Sequence, residues 1–276
     1  KSRFRSANFR KFFKRLNLKR IIPKLLLKNS SFDTNQMVLV NTNKFDKVIE
    51  IGDPVSQAKI YQSQLVDELI FLDLDARKFS RPPNLKIIRE ASEEIFMPFC
   101  VGGGVNSVKD FKLLLDNGAD KVSVNTAAFL NPKLIKESSD LYGSQCVVVS
   151  IDYSLDTNGN YFVHIDGGKT KTSINPIDWA IESEKNGAGE ILLSSISRDG
   201  TGEGIDIDLT KKIVNSVSIP VITSGGCGLS SHFSDAFLES NVSGVSAGTF
   251  FSMRDQNPMQ TRGHIINSGV KIRTLT

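Results

Sequence analysis

Glu190-Ile-Leu-Leu-Ser-Ser-Ile-Ser-Arg-Asp-Gly-Thr-Gly202 opens on a charge, runs through an apolar block, turns small and polar, and breaks at Gly200 and Gly202. An apolar run bounded by turn residues reads as a strand buried on both faces. In a parallel sheet covered by helices, chemistry collects at the carboxyl ends of such strands. Ser194, Ser195, Arg198 and Asp199 therefore fall on a working rim. The plainer reading of this stretch is a strand followed by a polar loop.

Outward from it the same pattern recurs. Strand-like blocks cover Arg20–Leu27, Glu68–Leu74, Phe99–Gly103, Lys121–Asn125, Cys146–Asp152, Glu190–Ile196, Pro220–Ser224 and Ser243–Gly248, eight in all. Between them, helical spacing covers Pro54–Val66, Asn84–Ile95, Ser107–Asn117, Pro132–Leu141, Pro176–Asn186, Asp208–Val217 and Leu229–Ser240. Asn84, Ser107 and Asn175 stand where helix caps belong, and Gly118, Gly143 and Gly187 where helices stop. Eight such units predict a closed (β/α)8 TIM barrel of α/β class. An open doubly wound sheet is the alternative, but no dinucleotide fingerprint follows the first strand. The last segment, Arg254–Val270, is a poor helix pattern because it holds Pro258 and Gly263. Two insertions interrupt the rhythm. Asn29–Ile51 reads as a short hairpin or a mobile cover, and Asp152–Asn175 as a hairpin turning at Asn158-Gly159.

The barrel reads as two similar halves. Glu68-Leu-Ile-Phe-Leu and Glu190-Ile-Leu-Leu-Ser lie 122 residues apart, and Gly103-Gly104 answers Gly225-Gly226 at the same offset.

The bulk charge needs dividing before it is interpreted. Residues 1–20 contain nine Lys or Arg and no acid, so removing them from the net +4 leaves −5 on the other 256 residues. A mildly acidic body argues against nucleic acid as the main partner. Residues 1–18 read as a basic extension to a barrel spanning 19–276. No apolar run has the length of a transmembrane helix, so no integral membrane segment is expected. Cys100, Cys146 and Cys227 show no paired spacing and read as reduced thiols of a cytoplasmic protein. His164, His232 and His264 are scattered, so neither a metal site nor a cofactor is expected.

Three groups of residues carry the chemistry. Gly103, Gly104, Asn125 and Thr126 in one half, and Gly225, Gly226 and Gly248 in the other, form glycine turns ahead of helices. Such turns let backbone N–H groups approach phosphate, and two of them across a barrel mouth suit a phosphorylated small molecule. The bland alternative is glycine used for tight turning alone. Asp152 and Asp199 end the fifth and sixth barrel strands, where an acid or base works, though rim aspartates also serve as loop caps. Arg198 is read as a substrate clamp or a salt bridge to Asp199. Arg20, Glu68, Lys121 and Glu190 begin four strands and predict a self-neutralising ring at the opposite end, either a structural plug or a gate.

Lys19-Arg-Ile-Ile-Pro, Gly52-Asp-Pro-Val, Val101-Gly-Gly-Gly, Gly118-Ala-Asp-Lys-Val-Ser-Val-Asn-Thr and Arg198-Asp-Gly-Thr, in that order, closely resemble HisF, the cyclase subunit of imidazole glycerol phosphate synthase. The resemblance implies a barrel with two phosphate sites and a heterodimer with a HisH-like glutaminase. It makes the charged ring an ammonia gate and puts Asp120 and Gln145 near the partner interface. It also exposes departures. Asp199 matches one of the family's two working aspartates, but the other falls on Leu26, which cannot move a proton. A mobile-loop lysine falls on Asn41, and Gly248 replaces a serine. This pattern resembles the AglZ/WbuZ branch, which implies amidination of a surface-polysaccharide sugar. The alternatives are a histidine-pathway cyclase and a non-catalytic scaffold that activates the glutaminase.

Overall fold

The computed structural model describes residues 18–33, 36–254 and 256–273. The expected basic extension therefore lies outside the described residues, apart from Leu18. Eight parallel strands close on themselves: β1 (Arg20–Asn29), β4 (Leu69–Asp73), β5 (Phe99–Gly102), β6 (Lys121–Val124), β7 (Val147–Leu155), β10 (Glu190–Ser195), β11 (Val221–Ser224) and β12 (Gly244–Ala247). The barrel shuts where Arg20 pairs with Gly244 and Ile22 with Ser246. This is the (β/α)8 TIM barrel that the strand count predicted. The strands read as unbroken apolar runs because one face meets the helices and the other the barrel interior.

Those two faces make two cores. Outside the barrel a large apolar cluster joins strands to helices, with Phe71 and Phe99 edge to face at a centroid distance of 4.9 Å. Inside, Ile22, Ile70, Cys100, Val148, Leu192 and Ile222 form a separate apolar plug. The period of 2 within each strand sorts residues between the two.

The insertions become strands that extend the wall. β2 (Met37–Asn43) pairs antiparallel with β1 and then with β3 (Lys47–Gly52). The second insertion forms β8 (Tyr161–Ile165) against β7, followed by the short β9 (Thr170–Lys171). The poor pattern near the end is nonetheless a helix, Pro258–Asn267. Pro258 sits in its first turn, where no N–H bond is lost, and Asn257 with Gln260 completes a capping box. Gly263 meets nothing within 4 Å, so a side chain is dispensable there. No helix among the described residues is long and apolar enough to cross a membrane.

The repeat seen in the sequence has a packing counterpart. A Cβ on Gly103 would lie 2.2 Å from the Asp73 carbonyl oxygen, and one on Gly225 would lie 2.7 Å from that of Ser195. Asp73 and Ser195 are again 122 residues apart, so both turns press on the equivalent neighbouring strand end.

Candidate functional site

The floor of the barrel is built from residues at the starts of four strands. Arg20 donates to Glu68 Oε2 at 2.6 Å and to Glu190 Oε1 at 2.5 Å. Lys121 Nζ reaches Glu68 Oε1 at 2.8 Å and Glu190 Oε2 at 2.6 Å. Each acid thus bridges both bases, and the ring is closed. Burial alone would raise the Glu190 carboxyl, but Arg20 and Lys121 hold it down to about 2. Burial likewise opposes the Lys121 charge, and the two glutamates overcome it, keeping this ammonium above its ordinary range. The apolar plug lies directly above.

Asp120 and Gln145 stand at this same end. Asp120 Oδ2 accepts the Phe99 N–H at 3.0 Å, so it braces the start of β5. Gln145 is exposed, with its amide donating to the Tyr142 carbonyl at 3.1 Å. Around them Phe96, Leu141 and Leu65 are 79%, 66% and 42% exposed, an apolar surface that strand-by-strand reading did not single out.

The other end is open. A cleft is lined by Lys24, Leu26, Asn41, Asp199 and the loops after β11 and β12, including Gly225, Gly226 and Gly248. Gly225 and Gly226 have φ of +96° and +102°, and a Cβ on Gly226 would lie 2.0 Å from the Gly204 carbonyl oxygen. Glycine is required there by close packing of loop on loop. Leu26 is confirmed as an apolar wall residue, 8% exposed.

Asp152 ends the barrel portion of β7 and is buried. Burial pushes its carboxyl up to about 7; Lys24 pulls it down and Asp199 raises it further. Asn125 Nδ2 donates to Asp152 Oδ2 at 2.7 Å, which orients the carboxyl. Asn125, expected at a phosphate, thus already serves Asp152. Its neighbour Thr126 accepts the Asp166 N–H through Oγ1 at 2.9 Å, tying the loop after β8 to the mouth. Gly104 lines a second opening with Arg77, Arg81 and Asn106, while Gly103 packs against the Asp73 backbone.

Asp199 has a different setting from Asp152. Thr42 Oγ1 donates to its Oδ2 at 2.6 Å, and its carbonyl accepts the Lys44 N–H at 2.9 Å. It lines the cleft while latching the β2–β3 hairpin to the loop after β10. Asn41 shares a reciprocal pair of hydrogen bonds with Ser252 at 2.9 and 3.0 Å, which ties the β2–β3 hairpin to the helical turn after β12. Arg198 Nη1 donates to the Gly204 carbonyl at 3.1 Å, and among the described residues it makes no ion pair with Asp199.

Sequence reading missed Lys24. Its signal is the alternation itself: Arg20, Ile22, Lys24 and Leu26 share the inward face of β1, and a lysine there cannot be a packing residue. The three cysteines are free and buried. Among the described residues no cluster of His, Cys, Asp or Glu has metal-binding geometry.

A family model described as histidine biosynthesis protein matches residues 20–256. A protein of Prochlorococcus marinus, provisionally named imidazole glycerol phosphate synthase subunit hisF2, is 48% identical over 92% of this chain and 98% of its own length. The chain belongs to the HisF family. Imidazole glycerol phosphate synthase subunits HisF from Clostridium botulinum and Leptospira biflexa are 40% and 39% identical, each over 92% of this chain and 98% of theirs. The higher identity to hisF2 agrees with a divergent branch of HisF, as Leu26 and Asn41 had indicated.

Proposed function

We propose that this HisF-like chain is the ammonia-using synthase subunit of a glutamine amidotransferase, acting on a phosphate-bearing acceptor at the barrel mouth. The observation that carries the proposal is the placement of a closed charged ring at the strand starts and, at the strand ends, of a cleft lined by Lys24, Asp199 and glycine turns. A HisH-like glutaminase docks on the floor, against Phe96, Leu65 and Leu141, with Asp120 and Gln145 in the contact. Ammonia passes the Arg20–Glu68–Lys121–Glu190 ring when a base swings aside. Asp152, poised near neutrality, is the group suited to take a proton from the nitrogen nucleophile. Asp199 holds the hairpin and faces the acceptor. The glycine turns at Gly225, Gly226 and Gly248, and those at Gly103 and Gly104, receive phosphate through backbone N–H groups.

The acceptor we favour is an acetamido-type sugar, converted to an amidine for surface polysaccharide, because Leu26 removes an acid that ring closure to an imidazole requires. A histidine-pathway cyclase is the second reading, favoured by the retained Asp152. Purified protein, ammonium salt and the phosphoribulosyl-formimino ribonucleotide substrate of imidazole glycerol phosphate synthase separate the two. Turnover at an ordinary HisF rate establishes the cyclase and removes the sugar reading. For the gate, Lys121→Ala in the glutaminase complex is expected to uncouple glutamine consumption from product; unchanged coupling rejects passage through the ring.

A further inference from the structure

Two aspartates brace the floor with the same motif. The Asp67 N–H donates to the Ile21 carbonyl at 3.2 Å, and Asp67 Oδ2 accepts the Ile21 N–H at 2.9 Å. The Asp120 N–H donates to the Phe99 carbonyl at 2.8 Å, and Asp120 Oδ2 accepts the Phe99 N–H at 3.0 Å. Each aspartate immediately precedes a member of the charged ring, Glu68 or Lys121. Ile21 in turn follows Arg20, so the first brace sets the distance across which Arg20 reaches Glu68. The ladder between β1 and β4 starts only at Lys24 and Ile70; below it, in the same register, this brace stands in for strand pairing.

Behind Asp67 lies a buried guanidinium. Arg262, on the helix Pro258–Asn267, is 2% exposed. Its Nη2 donates to Asp67 Oδ2 at 2.8 Å and to the Leu65 carbonyl at 3.1 Å, and its Nη1 to the Arg273 carbonyl at 2.9 Å. One planar cation thus joins the turn into β4, the last helix and the segment after it, where the Lys271 carbonyl accepts the Lys19 N–H at 3.3 Å. Taking two charges out of water is expensive, and a buried ion pair is often no more stable than apolar groups of the same volume. This pair is also incomplete among the described residues, because Asp67 Oδ1 and Arg262 Nε are buried with no hydrogen-bond partner. A two-bonded fork between the same side chains would satisfy both atoms. The fork is given up, and Asp67 Oδ2 faces Ile21 while Nη1 faces Arg273. Geometry, more than the strength of the pair, is what the arrangement keeps.

We infer that Arg262 is a positioning residue for the charged ring: it aims the Asp67 carboxylate at β1, fixes the spacing of Arg20 and Glu68, and makes that spacing depend on the C-terminal segment. Among the described residues no hydrogen bond or ion pair joins Arg262 to a ring member, so it acts through Asp67. The charges that hold Glu190 down are Arg20 and Lys121, and a change at Glu190 therefore reports how the ring is set. The positioning holds whether or not ammonia crosses the ring, which a separate readout decides.

The test follows carbon-13-labelled glutamate carboxyls by NMR in the full chain, with Glu190→Gln identifying the Glu190 signal. In wild type this carboxyl is expected to stay ionised as pH falls from about 7 to about 4, since its midpoint lies at about 2. Arg262→Lys keeps the charge but loses the planar fork. In that variant the Glu190 midpoint is expected to rise by about 1 pH unit or more, as its distance from Arg20 changes. Amide hydrogen exchange supplies the second readout. The Ile21 N–H is expected to exchange about 10-fold faster or more, the size of a hydrogen bond to a charged group. The Phe99 N–H, bonded to Asp120, is expected to keep its wild-type rate and serves as the internal control. General loosening of the barrel would instead move both amides together. Should Arg262→Lys not fold, Asp67→Asn keeps an oxygen for Ile21 but loses the charge that Arg262 grips, and both readouts are expected to move in the same direction. A Glu190 midpoint that stays in place, or an Ile21 acceleration no greater than that of Phe99, overturns the inference. A raised midpoint with selective Ile21 exchange supports it even where Lys121→Ala leaves glutamine coupling unchanged, an outcome that rejects the gate alone.

Discussion

At the floor of the barrel four ionised side chains satisfy one another through hydrogen bonds of 2.5–2.9 Å, whereas at the other end the Lys24 ammonium lines an open cleft and the buried Asp152 carboxyl accepts a hydrogen bond from Asn125. Both sets are largely withdrawn from water, so the difference is not exposure. At the floor each charge has an opposite neighbour on another strand, and the ring is complete without any ligand. At the mouth the elevated Asp152 shows what incomplete compensation does: the fold holds the carboxyl in reserve instead of fixing its charge. Closed electrostatics fit a structural gate, and open electrostatics fit a reacting site.

The largest effect should come from breaking the mouth. Asp152→Asn preserves shape but removes the proton acceptor, so ammonia-dependent turnover is expected to fall by about 10²–10⁴-fold in steady-state assays. The same change sharpens the stability side. Because the folded-state value is raised to about 7, the fold favours protonated Asp152, and ionisation costs stability as pH rises from its ordinary 3.8 through 7. Asp152→Asn should therefore raise unfolding stability above pH 7 by about 1–2 kcal/mol, measured by urea titration, and change little at pH 4.

Breaking the floor comes next. Glu190→Ala leaves Arg20 and Lys121 sharing Glu68, and is expected to destabilise by about 3–5 kcal/mol. The pH dependence has the opposite sign to that of Asp152. Depression of Glu190 to about 2 adds stability that is present above its ordinary 4.5 and is lost as pH falls through 2. An acid titration of wild type against Glu190→Ala checks this, since the variant should lack that part of the acid transition.

A smaller effect tests the glycine turns. Gly226→Ala must move the Gly204 carbonyl and is expected to cost about 2 kcal/mol, whereas Gly263→Ala in open helix should be neutral or stabilising by about 0.5–1 kcal/mol. Thermal melts of both variants make the comparison. Smallest for the isolated chain is Phe96→Ser: stability should stay within about 0.5 kcal/mol, because the ring is already in water, while co-purification with the glutaminase is lost.

The strands, their order and the charged ring were legible because each depends on short-range rules: period 2, turn residues at strand ends, and a charge at equivalent starts. The halves were legible because their glycines obey one packing demand twice. Four kinds of information were not. Lys24 was absorbed into an apolar run, although its period-2 spacing from Arg20 puts it on the same strand face. Arg198 was read from its sequence neighbour Asp199 and Asn41 from the resemblance alone, and their hydrogen bonds to Gly204 and Ser252 cross between loops brought together by barrel closure. The helix at Pro258 was masked by residues that break helices internally yet suit a first turn or an unpacked face. Asp152 and Asn125 were both found, although their pairing was not, because it crosses from one strand end to the next.

The belt of Ile22, Ile70, Cys100, Val148, Leu192 and Ile222 sets a condition on anything travelling between the two ends. Hydrocarbon offers no replacement for a hydration shell, so a cation meets a steep barrier there and a small neutral molecule does not. Ammonium arriving from below would have to surrender its proton before the belt, and the nitrogen would emerge above it already nucleophilic. The belt thereby separates the acidity of the surrounding water from the chemistry at the mouth.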